Sequence, residues 1–157
     1  MYIVVGNHQF HSARCVCCCR MENGQTQYRS TKSGRTYNIK RHYTCQTMYC
    51  VYLVTCGLCS AQYTGQTIRS MRERHYGHRS EVKRNEEGLG AHFFQHAQDL
   101  HVDVNNDIDN IMQYFNLTVI ASVDTLESDL MERLMTMDAY GGINLRIERR
   151  RGTGIGN

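Results

Sequence analysis

The stretch Cys50 to Thr67, CVYLVTCGLCSAQYTGQT, together with the segment after it, constrains this chain most. Two runs, 47–56 and 61–66, flank the short connector Gly57-Leu58-Cys59-Ser60. Val51, Tyr52, Val54, Tyr63 and Thr64 favour a pleated surface, so the pattern predicts a β-hairpin. Tyr52 and Tyr63 stand eleven residues apart, one per strand, and can lie near each other on one face. Ser70 then opens a helix with Glu73 three positions on, the signature of a capping box. On that helix Arg74 and His78 are four apart and share a face. Two phenols, a guanidinium and an imidazole thus come within reach of one point. Such a set suits a phosphodiester, with Arg for the phosphate and Tyr or His for proton transfer.

These residues resemble the GIY-YIG nuclease family. Cys50-Val51-Tyr52 stands where its first triad falls and Tyr63-Thr64-Gly65 where its second falls, and Arg74 and His78 follow as R-x-x-x-H. The run looks most like the endonuclease domain of Penelope-like retroelements and related stand-alone proteins, over roughly residues 45–146. Cys50 and Val51 replace the Gly and Ile of the first triad and Thr64 the Ile of the second, which keeps strand character and both phenols.

The resemblance implies a metal-dependent endonuclease that hydrolyses DNA phosphodiester bonds. It implies one divalent cation, Mg²⁺ or Mn²⁺, held by Glu127 in the run Leu126 to Thr136. Arg74 would neutralise charge on the phosphorane, and either Tyr52 or Tyr63 would take the proton from water. His78 would assist that transfer or hold a tyrosine. Asn144, in Tyr140-Gly141-Gly142-Ile143-Asn144, stands at the family's site asparagine. Read from the residues alone, Glu127 can cap its helix from the third position after Asp124, and Asn144 can be a turn residue after two glycines. Glu132, on the other face of that helix, is the second choice for the metal. The alternative function is a non-catalytic, zinc- and nucleic-acid-binding remnant of a mobile-element nuclease.

The expected fold is a small α+β domain. A central antiparallel sheet of 47–56, 61–66 and 115–123 carries helices 70–84, 89–98 and 125–137. Residues 1–44 form a Cys-rich basic arm with a hairpin at 27–39, residues 45–146 the nuclease-like domain, and residues 147–157 a basic tail. Residues 1–13 carry no clear signal, Asp99 to Asp109 reads as an acidic connector, and the start suggests a fragment of a longer reading frame. At 157 residues the core is small enough for metal support to matter.

Charge is divided unevenly. Residues 1–84 carry thirteen Lys/Arg against three acidic residues, about +10, and residues 85–157 carry five against twelve, about −7. A basic half around the phosphodiester residues suits DNA as partner, since phosphate neutralisation drives non-specific binding. Arg69, Arg72, Arg79 and Lys83 on the predicted helix are the candidate nucleic-acid contacts. No run of 18 apolar residues predicts a membrane helix, and the N-terminus lacks the basic region of a signal peptide. An intracellular protein is expected, with the basic tail a candidate nuclear address.

Eight cysteines without a secretion signal favour reduced thiols over disulfides. Cys15 and Cys18 make one CxxC pair, Cys56 and Cys59 another, and Cys45 lies one strand-length before the second. The expectation is about one structural Zn²⁺ per chain with ligands drawn from Cys15, Cys18, Cys45, Cys56 and Cys59, pinning the arm to the hairpin. The alternative is buried thiols packed as small hydrophobes. His92 and His96 are also four apart, but two histidines alone read as a packed or surface pair.

Overall fold

The computed structural model describes residues 4–10 and 14–122. Its seven strands are β1 (Gly6–Asn7), β2 (Gln27–Arg29), β3 (Thr36–Asn38), β4 (His42–Tyr43), β5 (Cys50–Cys56), β6 (Gln62–Thr67) and β7 (Phe115–Ser122). The three α-helices are α1 (Met71–Lys83), α2 (Leu89–Asp99) and α3 (Ile108–Met112). The fold is mixed α+β. Its main sheet is antiparallel, three-stranded and ordered β6-β5-β7. The predicted helix over 125–137, with Glu127 and Glu132, and Asn144 and the tail all lie outside the described residues.

β5 is the central strand, and all but one of its residues are buried. That is why its sequence reads as a nearly continuous apolar run rather than an alternation. It pairs with β6 in the register Tyr52↔Gly65 and Val54↔Tyr63. Residues directly opposite share a face, so Tyr52 and Tyr63 do point to the same side, offset by one pair. Against β7 the register steps from Val51↔Ala121 to Tyr52↔Val119, leaving Ile120 as the extra residue of a bulge.

Helix α1 begins where the capping pattern places it. Ser70 is the N-cap, and its hydroxyl accepts the Glu73 N–H at 3.2 Å. Two further N–H groups of its first turn are satisfied from outside: Met71 N donates to the Thr47 carbonyl at 2.9 Å and Arg72 N to the Cys45 carbonyl at 2.8 Å. Helix α2 packs closely on α1. A Cβ added at Gly90 would lie 2.6 Å from the Glu81 carbonyl oxygen, so only glycine permits the approach.

Two expectations are corrected. The acidic connector, read as Asp99 to Asp109, runs at its end into the helix α3, which continues to Met112 and buries Ile108, Ile111 and Met112; three apolar residues among five outweigh the flanking acids. The N-terminal segment is also not featureless. β1 pairs parallel with β4, and Asn7 is fully buried beside β7. Its side-chain amide accepts from Val119 N at 2.8 Å and donates to the Val119 carbonyl at 2.9 Å, acting as a strand partner for the edge of the sheet. The 27–39 hairpin forms with the register Tyr28↔Tyr37, and the two rings stack with centroids 5.3 Å apart. Buried Gln62 pins that hairpin to the sheet, accepting from Thr31 N at 2.8 Å and donating to the Arg29 carbonyl at 2.7 Å.

Candidate active site and candidate metal centres

Alternate residues of β5 deliver chemistry to one face. Cys50 meets Met71 at the start of α1, with sulfurs 4.0 Å apart, and Tyr52 meets His78 two turns further along that helix. The Tyr52 hydroxyl lies 2.8 Å from His78 Nε2, and Arg74 Nε donates to the same phenol oxygen at 3.2 Å. The predicted sharing of a face by Arg74 and His78 therefore holds, and what they share is Tyr52.

Glu81 completes this group and escaped the sequence reading. Its Oε2 lies 2.8 Å from His78 Nδ1 and its Oε1 accepts from Arg74 Nη1 at 3.0 Å. The signal was present, since positions 74, 78 and 81 recur at helical spacing on one face. Burial alone would raise the Glu81 carboxyl. The His78 hydrogen bond and the charges of His78 and Arg74 outweigh it and hold the group down at about 2. When the His78 ring is neutral, an ionised carboxylate at Nδ1 keeps the proton on that nitrogen, and Nε2 presents its lone pair to the Tyr52 hydroxyl. Gly77 leaves room for this arrangement, because a Cβ there would meet Arg74 Nη1 at 3.2 Å.

Tyr63 belongs to a different set of contacts. It packs edge-on against His92 of α2, with ring centroids 5.1 Å apart. His75, on the same helix as His78, is fully buried against Phe115, and neither ring nitrogen has a hydrogen-bond partner. Burial, aided by the charges of His78, Arg79 and Arg20, pushes it down to about 3, so it is neutral.

Of the candidate nucleic-acid contacts, Arg69 and Lys83 are exposed. Arg79 is instead paired with Asp109 at 2.5 Å, with only 16% of its side chain exposed. Arg72 is half-buried and lies over the Tyr76 ring at 5.8 Å. These two are partly committed within the protein.

The five cysteines from which the ligands of one ion were expected do not converge on one point. They fall into two groups, and the histidine pair read as packing joins one of them. Cys56, Cys59, His92 and His96 place one ligand atom each within 4.8 Å of one another. Cys59 Sγ is 3.5 Å from His92 Nε2. Cys15, Cys18 and Cys45 form the second group under the same limit. Both groups could hold a metal such as zinc, for thiolate and imidazole are its preferred ligands. The physical reason for the division is the sheet: Cys56 and Cys59 lie at the β5–β6 turn, whereas Cys45 precedes the opposite end of β5.

Each CxxC turn aims backbone N–H groups at its first sulfur; burial opposes them at both, and the Cys15 thiol is held below its ordinary value while the Cys56 thiol stays above it. The backbone N–H groups of Leu58 and Cys59 point at Cys56 Sγ, and Ser60 N donates to the Cys56 carbonyl at 2.9 Å. Likewise, those of Cys17 and Cys18 point at Cys15 Sγ, and Cys19 N donates to the Cys15 carbonyl at 3.2 Å. N–H donors aimed at a sulfur favour its anionic form. His92 is pushed down to about 4, chiefly by burial and then by His96, which keeps its ring neutral as a ligand must be. Among the described residues, no helix is long and apolar enough to cross a membrane. No protein family, curated protein or solved structure matches this chain.

Proposed function

We propose that this chain hydrolyses phosphodiester bonds in DNA as a GIY-YIG-like endonuclease, with Tyr52, Arg74 and His78 at the reacting centre. The observation that carries the reading is one phenol oxygen held between a guanidinium and an imidazole that is backed by a carboxylate. Passing the Tyr52 proton to His78 Nε2 creates a phenolate beside Arg74 and an imidazolium beside Glu81. Each new charge therefore forms next to its opposite, which offsets the cost of ionising a phenol whose ordinary value is near 10. The phenolate is then the base that takes a proton from the attacking water, and Arg74 attracts the phosphate. Tyr52 is preferred to Tyr63 on this ground, since the Tyr52 oxygen meets both Arg74 and His78. Tyr52 is fully buried and the Arg74 side chain 19% exposed, so a phosphate meets Arg74 first.

The described residues do not offer a Mg²⁺ site at this centre. Its carboxylate, Glu81, has one oxygen on Arg74 and the other on His78. Glu127, the ligand implied by the resemblance, lies outside the described residues. Exposed Arg69 and Lys83, with Lys32, Arg35, Lys40 and Arg41 of the arm, supply positive surface for the DNA backbone. Zinc held by Cys56, Cys59, His92 and His96 would fix α2 against the β5–β6 turn.

Relaxation of supercoiled plasmid with Mg²⁺ or Mn²⁺ added tests this reading. The unmutated chain should nick, and Tyr52→Phe should lose about 10²–10⁴-fold in rate, the scale of general base catalysis. Arg74→Ala should lose cutting and weaken binding. Glu127→Ala should lose cutting and still bind, while Glu132→Ala should behave as wild type. A chain that binds DNA in a salt-dependent way but never cuts would give the place to the second reading, a binding module. The burial of Tyr52 and His78 is the observation that favours that reading.

A further inference from the structure

We infer that Cys15, Cys18 and Cys45 bind a second soft divalent cation, in a three-thiolate site that locks the 14–20 turn to the start of α1. The site does not depend on whether the chain cuts DNA. Three observations carry it. The first is convergence. The three sulfurs come from segments 27 residues apart, yet Cys18 Sγ and Cys45 Sγ are 3.6 Å apart and all three lie within 4.8 Å. All three residues are at most 6% exposed, and no disulfide joins them. Buried thiols of this kind suit Zn²⁺ or Cd²⁺ and exclude hard cations, which need oxygen.

The second observation is the turn itself. Cys15 receives N–H groups from Cys17 and Cys18, the same arrangement found at Cys56, where two histidines complete a four-ligand group. Two turns of one design, each facing remote ligands, call for one explanation. The third is charge. Three thiolates around a divalent ion leave one net negative charge. Arg72 lies close enough to interact electrostatically with Cys15 and Cys45, and its Nε–H is buried with no hydrogen-bond partner. A buried donor without an acceptor is costly, and an anionic sulfur cluster beside it supplies the missing partner.

The location gives the ion a purpose. Cys45 contributes its sulfur to the cluster and its carbonyl to Arg72 N, while Thr47 caps Met71 N. A metal at Cys45 therefore fixes the loop that caps α1, the helix that carries Arg74, His78 and Glu81. Among the described residues three ligand atoms meet here.

The test is metal content of the full chain purified in zinc without chelator. Native mass spectrometry should find two Zn²⁺ per unmutated chain, one in Cys45→Ser, one in His92→Ala/His96→Ala and two in Cys19→Ser, whose exposed thiol is outside both groups. ¹¹³Cd substitution of the unmutated chain gives an answer that no variant's folding can disturb. It should show two resonances, one in the range of three sulfur ligands and one in that of two sulfurs and two nitrogens. A single resonance would overturn the inference. So would a single zinc in the unmutated chain, or two in Cys45→Ser.

Discussion

The two CxxC turns share one local design and sit in opposite surroundings. The Cys56 turn lies at the end of the β-hairpin, with Cys59 exposed and His92 and His96 half-buried. The Cys15 turn has both its cysteines in the core cluster, with Cys17 and Met21, whereas of the Cys56 turn only Cys56 is in it. The first group reaches α2, which packs through Gly90 on Glu81. The second reaches the cap of α1 through Cys45. The spacing of a CxxC thus specifies a turn that aims N–H groups at its first sulfur, while burial and remote partners decide which metal centre it becomes and what that centre holds in place. Both lead to the same helix, from its two ends.

The contrast predicts unequal costs. Cys45→Ser should destabilise most, because it removes an ion and leaves two desolvated thiols in the core. An ion held at a thousandfold over its dissociation constant contributes about 4 kcal/mol. Urea unfolding should show a loss of that order, against about 1–2 kcal/mol for His96→Ala at the more exposed group. Equal losses would break the comparison.

Gly90→Ala separates the two routes to the helix. Its added carbon meets the Glu81 backbone, which cannot move without α1, so a cost of about 1–3 kcal/mol is expected. Gly77→Ala meets only the end of the Arg74 side chain. It should gain about 0.8–1 kcal/mol of helix propensity and weaken any activity by displacing the guanidinium. Thermal unfolding of the two variants should therefore shift in opposite directions.

Acid should act through groups that neither turn contains. His75 has a folded value near 3 against 6.5 when free, so below pH 6.5 the unfolded chain binds a proton that the folded chain refuses. Its contribution falls as pH drops from 6.5 toward 3, by about 2 kcal/mol at pH 5. Glu81 is depressed from 4.5 to about 2, so its contribution is complete above pH 4.5 and is lost as pH falls toward 2. His75→Phe, measured by urea unfolding between pH 7 and 3, should flatten the upper part of this slope and leave the part that belongs to Glu81. An unchanged slope would remove His75 from the account.

Much of this was readable in the chain. The hairpin, the Ser70 cap and the Arg74–His78 face follow from local rules, and the structure bears them out. So does the three-stranded sheet, because each strand carries its own pattern. What was missed depends on distance or on mixed signals. His92 and His96 lie 33 residues or more beyond Cys59, and only the placement of α2 on the hairpin brings them together. The cysteines fall into two groups rather than one site pinning the arm to the hairpin, because sequence spacing does not say on which end of β5 a thiol emerges. Asn7 carries no local signal for its partner, since it pairs with Val119 across 112 residues. Glu81 was different: its helical spacing to His78 was visible, but a carboxylate among arginines reads as an ordinary surface ion pair.

The central claim is that Glu81, through His78 and Arg74, readies Tyr52 for phosphodiester hydrolysis. Single-turnover cleavage of an end-labelled DNA duplex by Glu81→Gln and by the unmutated chain, at matched metal content, tests it most directly. Glutamine keeps the size of the side chain and removes its charge. The account expects near-equal DNA affinity and a cleavage rate lower by about 10²-fold or more in the variant. Equal cleavage rates, or no cleavage by either protein under any divalent metal, would contradict it.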